Sequence, residues 1–262
     1  MLLKNKIRFL LRRNPQLIER IRKLIGKKSD LEIYFKLLDR KSTFIDIGAN
    51  KGQISIPISH FLNGKGEIHC FEPVKRSYEL LKKNISYEKP ITKIKLNNFA
   101  LGDSNTEVDI KIPENDDTQA SIKNHKIHSW KYTDNIITQK VKMMTLDTYV
   151  KENCLQKIDF IKCDVEGAEM LVMRGAKNIL TSLEPPILKL EIYKEWTKTF
   201  GYEPQDIIKF LEKYGDYKAY HISPNGLNRV KSNDKVIPGT FWEWLDFIFM
   251  PPQKKINFYR IK

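Results

Sequence analysis

The stretch TFIDIGANKG, Thr43 to Gly52, decides how the chain folds. Thr43–Ile47 is a short apolar run with β-branched residues, and helical spacing at Ile54, Ile58 and Leu62 follows the glycines. A strand, a tight turn and a helix account for that order. Glycines let the backbone turn sharply and approach a ligand closely. The helix beginning near Gly52 would aim its unsatisfied N–H groups at that ligand. A dinucleotide fingerprint needs G-x-G-x-x-G and a phosphate loop needs Gly-Lys-Ser/Thr; this turn has only G-x-x-x-G. Asp46, just before it, suits a cationic or amino-bearing ligand better than a pyrophosphate.

Outward from this turn the same grammar repeats. EIHCF (67–71) reads as a second strand, and Glu72-Pro73 opens a helix through Tyr78, Leu81 and Ile85. Lys93–Phe99 reads as a third strand and IDFIKC (158–163) as a fourth, with helical spacing at Ala168, Leu171, Val172, Ala176 and Ile179. ILKLEI (187–192) is a fifth, followed by a helix over Pro204–Tyr214. Strands alternating with such helices imply crossovers and a parallel sheet covered on both faces. Lys218–Ile222 and Phe247–Met250 lack a clear helix between them, which predicts an antiparallel pair at one sheet edge. Residues 113–140 are polar and non-periodic and carry Asp116, Asp117, His125, His128, Trp130 and Tyr132, so they read as a substrate-loop insertion.

An acid at the end of the second strand, Glu72, can accept hydrogen bonds from both hydroxyls of a ribose. Alone it could equally be an acid favoured by a helix dipole; with the Asp46–Gly52 turn it points to a nucleoside cofactor.

At this point the chain resembles a known family. FIDIGANKG (44–52), CFEP (70–73), NNFALGD (97–103), TLDTYV (145–150) and IDFIKCDVEGAEMLVMRGA (158–176) are similar, in order, to the FkbM-type methyltransferases, which are class I S-adenosylmethionine-dependent enzymes. DDTQASI (116–122), LEIY (190–193) and FIFMP (247–251) extend the resemblance. It implies a Rossmann-like α/β fold: a mostly parallel sheet of about seven strands, helices on both faces and an antiparallel edge strand. It also implies that Asp46, Gly48, Ala49, Asn50 and Gly52 hold the methionine part of S-adenosyl-L-methionine. Glu72 would hold its ribose, and Asn98 would sit beside the adenine. Asp164, ending the fourth strand, would touch substrate or the cofactor's amino group.

Asp164 is the first candidate general base for a hydroxyl acceptor, with Glu166 next and Glu191 in reach of the same pocket. A clustered acid trio could instead hold a divalent metal, but no metal ligands are assigned. Glu166 could simply cap the following helix, and Glu169 is expected to face solvent. His60, His69 and Cys163 are expected to be structural. His125, His128 and His221 are weaker candidates for contact with substrate.

Charge bears on partners. The 262 residues carry 46 Lys+Arg against 32 Asp+Glu, a net of +14. Residues 1–28 hold ten Lys/Arg and only Glu19, and residues 251–262 hold four more bases and no acid, leaving 32 bases and 31 acids between. The basicity belongs to the ends, which argues against nucleic acid as the substrate of a nearly neutral domain. No N-P-P-Y-like tetrapeptide follows the fourth strand.

The expected organisation is a basic amphipathic helical segment over 1–40 and a methyltransferase domain over 41–262. The segment could meet an anionic membrane surface or an acidic partner; as readily it forms two short helices packed on the domain with a solvated cationic face. No stretch is long enough to span a bilayer, and the lysines and arginines of residues 1–15 interrupt any secretory h-region. Three cysteines without a CxxC pair fit reduced thiols, so a cytoplasmic enzyme is expected, peripheral at the inner membrane face if the basic segment binds lipid. The leading expectation is an O-methyltransferase acting on a sugar hydroxyl of a polysaccharide or glycoconjugate. An RNA methyltransferase and a natural-product hydroxyl methyltransferase are the alternatives. Oligomeric state is left open.

Overall fold

The computed structural model describes residues 30–114, 116–126, 128–133, 135–223, 226–234 and 246–254. The basic segment over 1–28 and all but the start of the basic C-terminus lie outside the described residues, as does the side chain of His128.

The first helix, α1 (Asp30–Leu37), precedes β1 (Thr43–Ile47), α2 (Ser55–Leu62), β2 (Glu67–Phe71), α3 (Lys75–Glu88) and β3 (Lys93–Asn97). Next come β4 (Ala100–Leu101), β5 (Thr106–Pro113), β6 (Ile136–Met144), α4 (Leu146–Glu152) and β7 (Phe160–Cys163). Then α5 (Glu169–Arg174), α6 (Lys177–Leu180), β8 (Ile187–Glu191), α7 (Lys194–Phe200) and α8 (Pro204–Gly215) lead to β9 (Lys218–Ser223), β10 (Gly226–Val230) and β11 (Asp246–Met250).

The main sheet has eight strands in the order β10-β9-β11-β8-β7-β1-β2-β3. The five strands β8 to β3 run parallel, and β11, β9 and β10 continue antiparallel. This is the expected α/β architecture, wider by one strand. The addition, β10, reads GLNRV with two exposed central residues, and so carries no apolar alternation to reveal it.

The core divides by face, as a sheet covered on both sides requires. Ile45, Ile47, Cys163, Leu188 and Leu190 pack against residues of α5 and α8 such as Val172 and Leu211. Phe44, Ile68, Cys70 and Phe160 pack against Tyr34 of α1 and Ile58 and Leu62 of α2. Cys163 lies in the packed face, as its alternation requires.

Residues 113–140 are more ordered than their composition suggests. Short 3-10 turns occupy Asp117–Gln119 and His128–Lys131, and residues from Ile136 already belong to β6. That strand pairs antiparallel with β5 and parallel with β4 in a second, three-stranded sheet. Its own small core contains Val74, Ala100, Ile110, Ile112, Val141 and Met143. The segment is therefore the tip of a hairpin whose stem is a sheet. Along β5, Val108, Ile110 and Ile112 alternate with Glu107, Asp109 and Lys111, the period-2 pattern of a strand buried on one face.

No described helix is long and apolar enough to cross a membrane.

Candidate active site

In a sheet of this order, β1 lies between β7 and β2, so the chain reverses direction across the sheet at β1/β7. Ligand crevices form outside the carboxyl ends of strands at such a point. Four strand ends converge there: β1 at Asp46–Gly48, β2 at Glu72, β7 at Asp164 and β8 at Glu191.

The first turn is built by close approach. The N–H groups of Gly48 and Ala49 both donate to the Phe71 carbonyl at 3.0 Å. Gly48 has φ +74°, and a Cβ there would meet the Asp164 carbonyl oxygen at 2.0 Å. Only glycine lets β1 and β7 end this near one another. Asn50 follows with φ +49°, a conformation asparagine tolerates better than most residues.

Glu72 closes this turn from the neighbouring strand. One carboxylate oxygen accepts from Asn50 N–H at 2.8 Å and the other from Val74 N–H at 2.9 Å. Burial pushes its pKa up to about 7, against the pull of those two N–H donors. Its remaining lone pairs leave acceptor capacity for a ligand diol. The Asn98 side chain, expected beside an adenine, donates to the carbonyls of Glu72 and Pro73 at 2.8 and 3.1 Å. It braces the chain leaving β2.

Asp46 is 1% exposed and accepts from the Ser55 hydroxyl. Its nearest cation is Lys162, which the sequence reading passed over. Lys162 stands directly across from Asp46 in the β1/β7 register. Its Nζ donates to the Gly48 carbonyl at 2.8 Å and the Ile47 carbonyl at 3.3 Å, and lies 3.4 Å from Asp46 and 3.5 Å from Asp164. Burial opposes the charge, yet Asp164 and Asp46 outweigh it and raise the lysine pKa above its ordinary value. A lysine inside an apolar strand, across from an acid, was the available signal.

Even so, Asp46 Oδ1 and Asn50 Oδ1 are buried and accept no hydrogen bond from the described residues, Asp46 Oδ1 lying 3.4 Å from the Lys162 ammonium. An orphaned amide oxygen and an acid in a glycine-rich turn, beside a carboxyl with acceptor capacity to spare, match a ligand with an ammonium group and a ribose. The residues present fit the cofactor that the resemblance implies.

The ends of β7 and β8 hold the other acids. Asp164 is 32% exposed and paired with Lys162. Glu166 is partly exposed and has φ +53°. Glu191 sits directly across from Asp246 in the β8/β11 register, while Lys189 bridges to Asp246. Burial, then the charges of Asp164, Asp246 and Glu166, raise the Glu191 pKa well above the ordinary carboxylate value. Among the described residues no group of three or more His, Cys, Asp and Glu could hold a metal ion.

Glu169 corrects an expectation. It is fully buried rather than solvent-facing, and its Oε1 accepts from Val165 and Gly167 N–H at 3.1 and 3.2 Å. The Tyr202 hydroxyl lies 3.2 Å from its other oxygen, so the sheet end takes in a carboxylate that helical spacing alone would turn outward. Nor does Glu166 cap α5: the N-cap is Ala168, with no side-chain cap bond.

The histidines divide. His60 sits on the surface 3.6 Å from Glu88, while His69 is buried and bonded to the Tyr149 hydroxyl at 2.7 Å. His125 is buried with its ring 4.0 Å from that of Trp196, and its two ring nitrogens reach Thr199 and Ser121. Ser121 in turn donates to the Glu166 carbonyl at 3.2 Å. His125 thus supports the acidic turn from the insertion. His221 is buried on β9 against Phe247.

A family model described as the methyltransferase FkbM domain matches residues 46–217. The 2-O-methyltransferase NoeI of Sinorhizobium fredii is 31% identical over 172 residues, covering 62% of this chain and 65% of that protein. The chain thus spans just under two thirds of NoeI's length. The hexuronic acid methyltransferase AglP of Haloferax volcanii is 26% identical over 196 residues, covering 75% of this chain and 72% of that protein. Among solved structures, a SAM-dependent O-methyltransferase from Thermotoga maritima aligns with 12% identity and a TM-score of 0.41, covering 87% of this chain and 68% of its own.

Proposed function

Because the chain belongs to the FkbM methyltransferase family, we propose that it is an S-adenosylmethionine-dependent O-methyltransferase whose acceptor is a sugar hydroxyl. The observation that carries the reading is the convergence of Asp46, Glu72, Asp164 and Glu191 at neighbouring strand ends around one glycine turn. The names of NoeI and AglP, a 2-O-methyltransferase and a hexuronic acid methyltransferase, support oxygen as the acceptor atom and a sugar as its carrier.

Bound S-adenosylmethionine supplies a methyl group that is already strongly electrophilic. The chain's task is then to bind, orient and deprotonate. Asn50 offers an orphaned oxygen and Asp46 its charge, shared with Lys162, to an ammonium group, and Glu72 offers its carboxylate to the ribose hydroxyls. Lys162 holds the Gly48 carbonyl and both neighbouring aspartates, which fixes the turn against the end of β7.

For the proton we assign Glu191. Asp164 is engaged by the Lys162 ammonium. Glu191 instead has the carboxylates of Asp164, Asp246 and Glu166 around it, which outweigh the Lys189 ammonium and, with burial, favour its taking up a proton. Residues 41–262, with α1 packed on them through Tyr34, act as the catalytic unit, and the basic residues 1–28 serve location or partner binding.

The test is transfer of labelled methyl from S-adenosylmethionine to a panel of methyl glycosides, neutral sugars and hexuronates included. Glu191→Gln should lower kcat by about 10²-fold or more while leaving cofactor affinity unchanged. Full activity in that variant removes Glu191 from the proton's path. Transfer to RNA rather than to any glycoside would overturn the sugar reading.

A further inference from the structure

The turn Asp164–Gly167, between β7 and α5, is held at nearly every polar backbone atom. Asp164 N–H donates to the Ile47 carbonyl at 3.2 Å. Val165 and Gly167 N–H converge on one oxygen of Glu169. The Glu166 carbonyl accepts from Ser121, and the Gly167 carbonyl accepts from the Tyr202 hydroxyl at 2.7 Å. Tyr202 also lies 3.2 Å from the second Glu169 oxygen, so carboxylate and phenol grip the turn from both sides.

These bonds enclose a strained residue. Glu166 has φ +53°, where side-chain-bearing residues are rarely found, and Gly167 follows at φ +100°. A Cβ at Gly167 would meet the Trp196 carbonyl oxygen at 2.9 Å. Such backbone persists only where its surroundings over-determine it. Helix capping does not explain the arrangement. The two amides that Glu169 binds precede α5, and the helix's N-cap residue makes no side-chain bond. Glu169 therefore stabilises the turn and the conformation of Glu166, not the helix.

We propose that Glu169, with Tyr202 as its second arm, is a positioning residue for methyl transfer that fixes Glu166 on the acceptor side beside Asp164 and Glu191. This rests on the methyltransferase reading of the site. Glu169 acts through the turn and touches neither cofactor nor acceptor. Burial pushes its pKa up to about 7, opposed by the backbone donors at Val165 and Gly167. The ionisable groups around it are Asp164, Cys163 and Tyr202. Because the closed turn holds this proton more tightly than an opened, solvated turn would, opening becomes easier as pH rises toward about 7.

Glu169→Gln keeps the shape and removes the charge, and Tyr202→Phe removes one arm. Both are compared with the full chain by amide hydrogen exchange over residues 160–172, by calorimetry with S-adenosylhomocysteine, and by methyl transfer to the glycoside panel. Exchange needs no acceptor. In the unaltered protein, protection of Val165 and Gly167, corrected for intrinsic rates, should fall as pH rises from the ordinary carboxylate range toward about 7, and in Glu169→Gln it should be low and flat. S-adenosylhomocysteine affinity should stay within about threefold in both variants, while kcat falls by about tenfold to 10²-fold. Unchanged protection in both variants overturns the clamp. Lowered protection with unchanged kcat, or a parallel loss of affinity and melting temperature, makes Glu169 merely structural. An unaltered protein that methylates no glycoside sinks the sugar reading, and the exchange data still decide the clamp.

Discussion

At the scale of single residues, Lys162 organises more of the site than any acid does. Its ammonium spans two carbonyls of the glycine turn and two aspartates from neighbouring strands. Removing one partner of a buried ion pair strands the other charge. Lys162→Met should therefore cost about 3 kcal/mol, the lower end of that range because Asp164 is 32% exposed. Denaturant unfolding checks it, and Lys162→Arg should recover only part, since a planar guanidinium does not fit a four-way ammonium site. The acids Asp46, Glu72, Asp164 and Glu191 were legible in the sequence because they sit at strand ends, a place periodicity can find. Lys162 and Glu169 were not, because nothing in a one-dimensional pattern says that a charged side chain turns inward. Only the strand register puts Lys162 across from Asp46, and only the turn's own amides draw Glu169 in.

At the scale of elements, the β1 turn and the end of β7 form one unit, joined where Gly48 meets the Asp164 carbonyl. Gly48→Ala would force a Cβ to 2.0 Å from that oxygen at a φ of +74°. The strand ends must part to admit it. Stability should fall by more than about 1–2 kcal/mol, with cofactor affinity lost in the same variant, measured by melting and calorimetry. The parallel strands were readable from their apolar runs, and so was the late antiparallel pair β9 and β11. The second sheet is legible only in part: Val108, Ile110 and Ile112 of β5 alternate with Glu107, Asp109 and Lys111, while β4 has two residues and no apolar alternation marks the tip between β5 and β6. That tip is tied to the domain, since Arg76 of α3 reaches Asp117 at 3.5 Å and Ser121 reaches the Glu166 carbonyl.

For the whole molecule, three carboxyls raised by burial tie stability to pH. Glu72 and Glu169 are both pushed up to about 7, and Glu191 is raised well above the ordinary value. Each keeps a proton in the folded chain that the unfolded chain gives up at ordinary carboxylate pH. The contribution of Glu72 and Glu169 is full below that value and is lost as pH rises through about 7. The ligand-free protein should lose several degrees of melting temperature from this source between about pH 5 and about pH 8, and the double variant Glu72→Gln, Glu169→Gln should make the profile shallower, leaving the share of Glu191. Ligand affinity should run the other way, because a ribose diol is better held by the carboxylate of Glu72 than by its acid. The central claim is that the Asp46–Gly52 turn and Glu72 form a nucleoside-cofactor site. It is tested most directly by calorimetric titration of the full chain with S-adenosylhomocysteine at about pH 8, beside Glu72→Gln. Saturable one-to-one binding that weakens by about tenfold or more in the variant is the result expected. Absence of binding to the unaltered chain, or equal affinity in both, would contradict it.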